Sequence, residues 1–498
     1  MNSPFNFYDY DFTTDFIAIS KQKEILGICG DFTIVEGQGV VPLNDNRLTI
    51  SAKETNVEIK IIKIGTPDDI SLEYSTDLGK TWESYTIGET ITLSKIGDNV
   101  KFRGENQTFS KTYENYYNFV INGLASASGD ITSLLNLEGG DVDLPPFCFA
   151  QLFMSCDLTS TPNLPSTTLS DGSYYALFAN CIYLKQGSKL PATTLGQYTY
   201  AYLFYNCTSL DKAPALPANV LGSDCYYGMF QSCYMLTKAP RLPATEMKLG
   251  CYTSMFRDCT SLVVSPELPA MTLNDYCYEN MFYGCTSLTT APELPATTLA
   301  QYCYSAMFHD CSSLTTAPEL PATTLAQYCY SNMFNNCQLL SDAPELPAMT
   351  LAQTCYANMF HDCKALTTAP ELPATTLAQY CYSRMFEGCS LLVTGPSILP
   401  STELKDYCYN QMFQRCTALT TAPELPAESL ISKCYRDMFE GCSSLNYIKA
   451  MFTTTPTNEY TEAWVSGVSA TGTFVKNIEA TWDVTGNNGV PSGWEILT

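Results

Sequence analysis

Cysteine is the residue type whose number and spacing could carry chemistry in this sequence. The chain has 23 cysteines, most of them in the pattern C-Y-x-x-M-F-x-x-C, as at Cys303 and Cys311. Such a set could bind a metal, form disulfides or fill a core. Zinc sites prefer closer pairs such as C-x-x-C, and eight residues of helix separate two thiols by about 12 Å, which is too far for a disulfide. We therefore favour core packing, with disulfides between repeats and metal binding as alternatives, and we predict no metal and no cofactor.

Histidines and carboxylates are the other candidates for chemistry. The chain has only 2 histidines, His309 and His361, and their spacing of two repeat units, roughly 10 Å, argues against a shared metal. Glutamates recur after A-P or S-P, at Glu267, Glu293, Glu319, Glu345, Glu371 and Glu424. Like charges about 5 Å apart should be solvated, with a calcium ion or an amine ligand as the alternative. Because these acids mark a regular position, we predict no catalytic residue.

A repeat of 26 residues organises most of the chain. The string TAPELPATTLAQYCYS occurs unchanged from Thr290, Thr316 and Thr368. The last cysteine of the unit falls at Cys156, Cys181, Cys207, Cys233, Cys259, Cys285, Cys311, Cys337, Cys363, Cys389, Cys416 and Cys442. A second series lies eight residues earlier in ten of these units, and Cys29 completes the total of 23. The cysteine count is therefore a repeat count, and stacked repeats of this kind predict a solenoid of about twelve coils.

Each coil is predicted to hold one short strand and one short helix. Residues 314–320 look extended, and Thr324 with Gln327 fits a Thr-x-x-Gln capping box. At 100° per residue, one helix face collects the most regular positions, which are Cys303, Tyr304, Met307, Phe308 and Cys311. The opposite face would collect Tyr302, Ser305, Ala306, His309 and Asp310. The sequence therefore predicts an apolar inner face and a variable outer face.

The flanking regions differ from the repeat. Residues 28–127 hold seven short β-prone runs and a hairpin signal at Asp77 to Trp82, which predict an all-β immunoglobulin-like sandwich. The solenoid is predicted over 128–445 and a C-terminal cap over 446–498. Trp464, Trp482 and Trp494 lie in that cap, and a sugar-stacking site is the alternative role for them. Residues 1–27 are predicted to be a docking peptide, with a strand added to the sandwich as the alternative. Its candidate docking residues are Phe5, Phe7, Tyr8, Tyr10 and Phe12.

The repeat unit resembles the BspA-type leucine-rich repeats of bacterial surface proteins, in the variant that carries M-F-x-x-C-x-x-L. MFYGCTSL from Met281 and MFEGCSSL from Met438 carry the resemblance. The unit departs from the commoner form in having M-F instead of A-F and in its L-P-A-T-T-L segment. SLEYSTDLGKTW and GVPSGWEIL are similar to modules that accompany such repeats in Bacteroidales and their phages. The resemblance implies a leucine-rich-repeat-like solenoid and recognition through an extended surface, and it implies no catalytic residues.

Charge and hydropathy exclude several function classes. The formal net charge of −24 repels phosphate, so nucleic-acid binding is not expected. No run approaches the ~18 apolar residues of a membrane span, and the early aspartates do not fit a secretory signal. We therefore expect synthesis in the host cytoplasm and no membrane insertion. Homo-oligomerisation stays open, although no coiled-coil heptads support a trimer.

The sequence favours a non-enzymatic virion protein, a phage tail or head fibre that contacts other virion proteins through its N-terminal region and a bacterial surface glycan or protein through the rod. An exported bacterial adhesin at the cell surface is the first alternative, and a glycan-cleaving solenoid enzyme is the second. Candidate binding residues on the outer face are Tyr276, Tyr302, Tyr328, Tyr380, Tyr407, Arg257, Tyr283, His309, Asn335, His361, Glu387 and Gln414. Mutual packing of the tyrosines is the alternative role for that face.

Overall fold

The computed structural model describes residues 32–35, 39–42 and 46–498. The first two segments are β1 (Phe32–Val35) and β2 (Gly39–Pro42), which pair antiparallel. The predicted docking peptide at 1–27, with Phe5, Phe7, Tyr8, Tyr10 and Phe12, and the outlying Cys29 lie outside the described residues.

Residues 48–128 form two antiparallel sheets. The strands are β3 (Leu48–Ala52), β4 (Val57–Ile64), β5 (Leu72–Ser75), β6 (Glu83–Ser84), β7 (Thr90–Leu93), β8 (Asn99–Gly104), β9 (Tyr116–Asn122) and β10 (Ala125–Ser128). The five-stranded sheet has the order β10-β3-β8-β5-β6, and the three-stranded sheet has the order β7-β4-β9. The hairpin predicted around Asp77 is confirmed, because β5 pairs with β6. Alternate side chains of these strands, such as Ile50 and Ile59, are fully buried in one core, as a half-buried sheet requires.

The last strands of this region continue directly into the solenoid. The backbone N–H of Phe119 in β9 donates to the carbonyl of Leu152 at 2.7 Å, and Ala125 in β10 forms a parallel bridge with Leu158. The ring of Phe119 stacks on Phe153 with centroids 4.8 Å apart. A 3₁₀ helix at Ile131–Leu134 lies at this junction. The sheets therefore share the core of the first coil. Among the described residues, no helix has the length and apolar character needed to cross a membrane.

The predicted strand of each coil is reduced to isolated parallel bridges. Thr316 pairs with Thr290 on one side and with Asp342 on the other, and Thr324 pairs with Thr298 and Thr350. Between these two bridges lies the A-P-E-L-P segment, whose prolines have no N–H to donate to a ladder. The prediction of one short strand per coil was therefore wrong in extent, since pairing is confined to single residues.

The predicted helix was also wrong, because residues 301–310 form a series of turns. Every fourth residue has a positive φ, with 55° at Tyr302, 50° at Ala306 and 60° at Asp310. A helix cannot contain such residues, since left-handed geometry reverses its path. The Thr-x-x-Gln pair consequently caps no helix. Instead, the Gln301 amide nitrogen donates to the Gln327 amide oxygen at 3.2 Å, which links two coils.

Successive backbone N–H groups of the turn segment alternate between two kinds of acceptor. The N–H of Met307 donates to Tyr304 within the coil at 3.2 Å, whereas the N–H of Phe308 donates to Met333 of the next coil at 2.9 Å. The same alternation recurs along the rod, for example at Met333 and Phe334. Half of the donors therefore close turns and half join coils, so the segment satisfies the backbone without a helix or a strand.

The interior of the rod contains two aromatic columns that run along its axis. Neighbouring phenylalanines of the repeat stack at 5.5–5.9 Å from Phe153 to Phe439. The tyrosines that follow the second cysteine series, such as Tyr304 and Tyr330, stack in the same way at 5.8 Å. Both rings are at most 1 % exposed. The predicted phenylalanine spine is confirmed, and a tyrosine column accompanies it.

The C-terminal end of the rod is closed by a parallel sheet and by buried tryptophans. β11 (Tyr447–Ala450), β12 (Thr473–Lys476) and β13 (Glu495–Leu497) pair in parallel, and β11 continues the bridge at Thr421. The Trp464 ring is fully buried against Tyr435 and Phe439 of the last coils. The end of the aromatic columns is thereby covered.

Candidate recognition surface

The thiols of the repeat are part of the core. All 22 cysteines in the described part of the chain are free and buried. The last cysteine of every unit donates its S–H to a phenylalanine carbonyl, at 2.9–3.2 Å. The acceptor lies in the preceding coil, except that Cys156 of the first coil donates to Phe119 in β9. Burial raises the pKa of the thiols, in Cys303 to about 12. A neutral thiol is a poor nucleophile and a poor metal ligand. Among the described residues, no three His, Cys, Asp or Glu side chains are grouped so that they could hold a metal ion.

The five outer tyrosines of the prediction form one surface column, which we call the tyrosine column: Tyr276, Tyr302, Tyr328, Tyr380 and Tyr407. Each occupies the first positive-φ position of its turn segment, with φ of 57–59° except for 55° at Tyr302. All five are half-buried. The backbone repeat therefore places identical side chains in line at the surface.

The rings of the tyrosine column stack face to face. Tyr302 lies 4.9 Å from Tyr276 and 4.4 Å from Tyr328, with interplanar angles of 10° and 5°. Tyr380 and Tyr407 stack at 4.7 Å. Thr354 occupies the column position between Tyr328 and Tyr380, with φ 58°. Mutual packing and partial exposure therefore coexist in this column, since the rings stack on each other and every tyrosine is only half-buried.

A second surface column, the mixed column, consists of Arg257, Tyr283, His309, Asn335, His361, Glu387 and Gln414. The Arg257 guanidinium lies over the Tyr283 ring at 4.4 Å, and Tyr283 stacks on His309 at 4.5 Å. His309 Nδ1 is 3.1 Å from an Asp310 carboxylate oxygen. Burial lowers the pKa of His309, and the opposing effect of Asp310 is smaller. His309 is therefore neutral at neutral pH, as a stacked ring that is 22 % exposed should be.

The distal half of the mixed column is ionic. Glu387 is almost buried, and its carboxylate faces His361 Nε2 at 3.6 Å, Arg384 Nε at 3.7 Å and Arg415. Burial alone would raise the pKa of Glu387, but the facing imidazole of His361 and the charges of Arg384 and Arg415 outweigh it and hold the pKa below its usual value. Gln414 donates to Glu440 of the next coil. Glu387 is thus a charged contact that ties coils together.

The glutamate column lies on a different face, at the A-P-E-L-P segments. All six side chains are exposed. Glu371 accepts hydrogen bonds from Ser397, and Glu424 pairs with Lys449 at 3.0 Å. Open depressions of about 460 and 490 Å³ lie beside this column, the first between Glu267 and Glu293 and the second between Glu345 and Glu371. Prolines and the column glutamates line both depressions, and Ser341, Asp342, Thr367 and Thr368 add polar groups to the second.

The C-terminal tryptophans are buried, so their rings cannot stack on a sugar. Trp464, Trp482 and Trp494 are at most 7 % exposed. Their indole N–H groups donate to backbone carbonyls, that of Trp464 to Gly489 at 3.0 Å and that of Trp482 to Phe452 at 3.1 Å. The predicted C-terminal cap stays a prediction, and the sugar-stacking alternative for these three residues was wrong because their rings are buried.

The sequence interpretation missed a tyrosine cluster on the first coils. The Tyr202 ring contacts Tyr175, Tyr205 and Tyr227 at centroid distances of 5.1–6.0 Å. Burial raises the pKa of Tyr202. The Tyr-Tyr pairs at 174–175 and 226–227 were the available signal, since one tyrosine of each pair belongs to the buried column and the other faces outwards. The predicted outward position of Ser305 was also wrong, because its exposure is only 7 %.

The repeat matches a known family model. The description is "BspA type Leucine rich repeat region", with 6 copies over residues 149–262, 227–367 and 352–461, which is more than half of the chain. The chain belongs to the BspA-type leucine-rich repeat family. The resemblance carried by the M-F-x-x-C motif is thereby confirmed for this BspA-type repeat protein. No curated protein sequence matches it.

Two of the solved structures that are similar to this BspA-type repeat protein are described as leucine-rich repeat proteins. One from Bacteroides ovatus ATCC 8483 is 15 % identical, covers 86 % of this chain and 99 % of its own, and has a TM-score of 0.41. One from Eubacterium ventriosum ATCC 27560 is 14 % identical, covers 74 % of this chain and 94 % of its own, and has a TM-score of 0.29.

Proposed function

We propose that this BspA-type repeat protein is a non-enzymatic attachment protein that recognises a bacterial surface through the outer turn face of its rod. The observation that carries the proposal is the alignment of the tyrosine column and the mixed column on one turn segment. The segment 301–310, for example, contributes Tyr302 to one column and His309 to the other. Half-buried aromatic and polar side chains repeated at coil spacing suit an extended ligand such as a glycan or a protein surface.

The outer turn face is a better candidate than the glutamate column. Its side chains are pre-ordered by ring stacking and by the ion pairs of Glu387, so binding would immobilise few of them. The glutamates at 267, 293, 319 and 345 have no hydrogen-bond or ion-pair partner in the described part of the chain, and like charges so placed are most favourable when solvated. Solvation is therefore the role that we assign to that column.

The setting that we propose is a phage virion. The two antiparallel sheets at 48–128 would act as an immunoglobulin-like spacer between the rod and an N-terminal region that docks onto other virion proteins. The shared core at Phe119 and Phe153 supports a stiff connection between spacer and rod. A homo-oligomer would multiply weak contacts to a repeated surface ligand.

Two other functions stay open. An exported adhesin would use the same outer face at a cell surface. A glycan-cleaving enzyme would need two carboxylates facing one sugar. Glu387 is turned towards His361 and Arg415, and the exposed glutamates form a regular series, so neither group provides an irregular acid and base pair. We therefore propose recognition without catalysis.

Two measurements test the proposal. Fluorescently labelled chain should bind intact cells of a susceptible Bacteroidales strain and should not bind a receptor-deficient mutant selected for phage resistance. Peptide mass spectrometry should find the chain in purified particles at a stoichiometry typical of a structural protein. Binding without presence in particles would favour the adhesin, and absence of any cell binding would contradict recognition. Release of reducing sugar from the cells would instead support the enzyme.

A further inference from the structure

The tyrosine column is interrupted at one coil. Tyr276, Tyr302 and Tyr328 form one stack and Tyr380 with Tyr407 forms another. The coil between them carries Thr354 at the column position. Tyr328 stacks on Tyr302 and Tyr380 stacks on Tyr407, and neither ring has a tyrosine neighbour on the side of Thr354.

The width of this interruption equals one missing ring. Neighbouring rings of the column lie 4.4–4.9 Å apart. Tyr328 and Tyr380 are two coils apart, about 9.5 Å at ordinary strand spacing. A six-membered ring placed midway would therefore lie about 4.7 Å from both rings, the distance that the stack itself uses. We call this space above Thr354 the ring slot.

Polar groups with no internal partner surround the ring slot. Gln353 accepts a hydrogen bond from Gln327 at 2.8 Å, but the Gln353 amide nitrogen donates to no group in the described part of the chain. The Thr354 hydroxyl and the Gln379 amide likewise have no partner there. The slot thus combines two flat aromatic walls with hydrogen-bonding side chains on the coil between them and on the next coil, which is the composition of sites that fix a small polar ring.

We propose that the ring slot binds one neutral pyranose ring of a surface glycan, so that the sugar continues the tyrosine stack between Tyr328 and Tyr380. Aromatic faces stack on the C–H faces of a pyranose, and the amide and hydroxyl groups suit its hydroxyls. The formal net charge of −24 disfavours anionic sugars. This inference rests on the proposed recognition function and names the ligand class of the same outer face.

The chain supplies matched variants for the test. Thr354→Tyr should fill the slot without strain, because Thr354 has φ 58° and the column tyrosines have φ 55–59°. Tyr302→Thr should create a second slot between Tyr276 and Tyr328 by the same geometry. A double variant with both changes should move the single slot by two coils.

The experiment measures binding of the methyl glycosides of glucose, galactose, mannose and N-acetylglucosamine to the full chain by saturation-transfer NMR and titration calorimetry. We expect at least one glycoside to bind with one site per chain, Thr354→Tyr to weaken binding at least tenfold, and Tyr302→Thr to raise the stoichiometry to two. No binding of any of the four, or equal binding by Thr354→Tyr, would overturn the proposal. Binding of p-cresol without any glycoside would overturn it in favour of an aromatic side chain as occupant.

Cell binding separates this inference from the proposed function. If the Thr354→Tyr chain still binds bacteria as well as the unchanged chain does, the ring slot is rejected and recognition stands. If the unchanged chain does not bind bacteria, recognition itself fails, whatever the glycosides do.

Discussion

The Cys311 thiol donates a hydrogen bond to the carbonyl oxygen of Phe282 in the preceding coil, with Sγ 3.1 Å from the oxygen. The same carbonyl accepts the backbone N–H of Cys285 at 3.1 Å, so both of its lone pairs are used. Every unit after the first repeats this arrangement, and all twelve units have cysteine at this position. The second series has no such bond to a phenylalanine, and there Ser173 and Thr199 replace cysteine, their hydroxyls donating to a carbonyl three residues back.

Alanine at the two cysteine positions of one coil should have different effects. Cys311→Ala loses buried sulfur and its hydrogen bond, whereas Cys303→Ala loses only buried sulfur. We expect both to destabilise the rod, and Cys311→Ala to cost about 1 kcal/mol more, the value of one hydrogen bond. Urea unfolding followed by circular dichroism measures the difference. Equal losses would mean that the thiol acts only by its volume.

Alkaline pH should destabilise the rod. Burial raises the pKa of the thiols above the ordinary value of 9.0, to about 12 in Cys181, Cys303 and Cys442. The unfolded chain therefore loses these protons first, and stability that is complete below pH 9 falls as the pH rises towards 12. Melting temperatures measured between pH 8 and pH 11 should therefore fall as the pH rises.

Trp464 should be needed to hold the end of the rod. Its ring is 0 % exposed and contacts Tyr435, Phe439 and Phe452. Trp464→Ala should cost about 3–5 kcal/mol by leaving a cavity. Hydrogen exchange should show the loss of protection spreading from 446–498 into the last coils. The exposed Ile478 provides the control, since Ile478→Ala should change little because that side chain is 80 % exposed. Similar losses from both variants would contradict the cap role.

Tyrosines of the outer face should be needed for binding by a chain that remains folded. Tyr302→Ala removes two ring pairs, with Tyr276 and with Tyr328, which should lower stability by about 1–3 kcal/mol, since each aromatic pair contributes about 0.5–1.5 kcal/mol. Binding to bacteria should weaken at least tenfold in a chain that combines Tyr302→Ala with Tyr328→Ala. Flow cytometry with labelled chains measures this. A Glu293→Gln chain tests the other face and should bind normally.

Mild acid should destabilise the coil around His309. Burial lowers the pKa of His309 below 6.5, so the unfolded chain takes up this proton first. The neutral His309 ring therefore contributes fully to the free energy of unfolding above pH 6.5, and this contribution is lost as the pH falls through the lower pKa of the folded state. His309→Asn introduces the residue that already stands at the equivalent position, Asn335, and should flatten the pH dependence of the melting temperature between pH 7 and pH 5. If the melting temperature of the His309→Asn chain depends on pH as steeply as that of the unchanged chain, other titrating groups cause the dependence.

The repeat predicted the large features of the fold because its signal is long and regular. The spacing of Cys311 and its equivalents indicated the coils, and the burial of Cys303, Tyr304, Met307 and Phe308 is as expected. The local conformation was wrong for a physical reason. Buried positions spaced by three and four residues fit a helix of period 3.6, and they fit equally a chain that turns every fourth residue.

Other features depend on contacts that a single unit does not display. The positive φ of Tyr302 is stabilised by hydrogen bonds to the next coil, and no local propensity of tyrosine indicates it. The thiol donation to Phe282 joins residues 29 positions apart. The outer tyrosines could be predicted as a column, but their stacking and the interruption at Thr354 required the coil geometry.

The backbone N–H groups of the turn segments alternate between acceptors in the same coil and in the next coil. Because every coil offers the same donors and acceptors, whole coils can be added to the rod or removed from it. The backbone hydrogen bonds between coils recur at the same positions of the repeat, as from Phe308 to Met333 and from Phe334 to Met359. Removing residues 300–325 would join Leu299 to Ala326, as Leu325 is joined to it now, and the stack would close again about 4.8 Å shorter. The identical segments that begin at Thr290 and Thr316 are suited to such exchange at the level of the gene. The reach of the rod can therefore change by whole coils while both ends remain as they are.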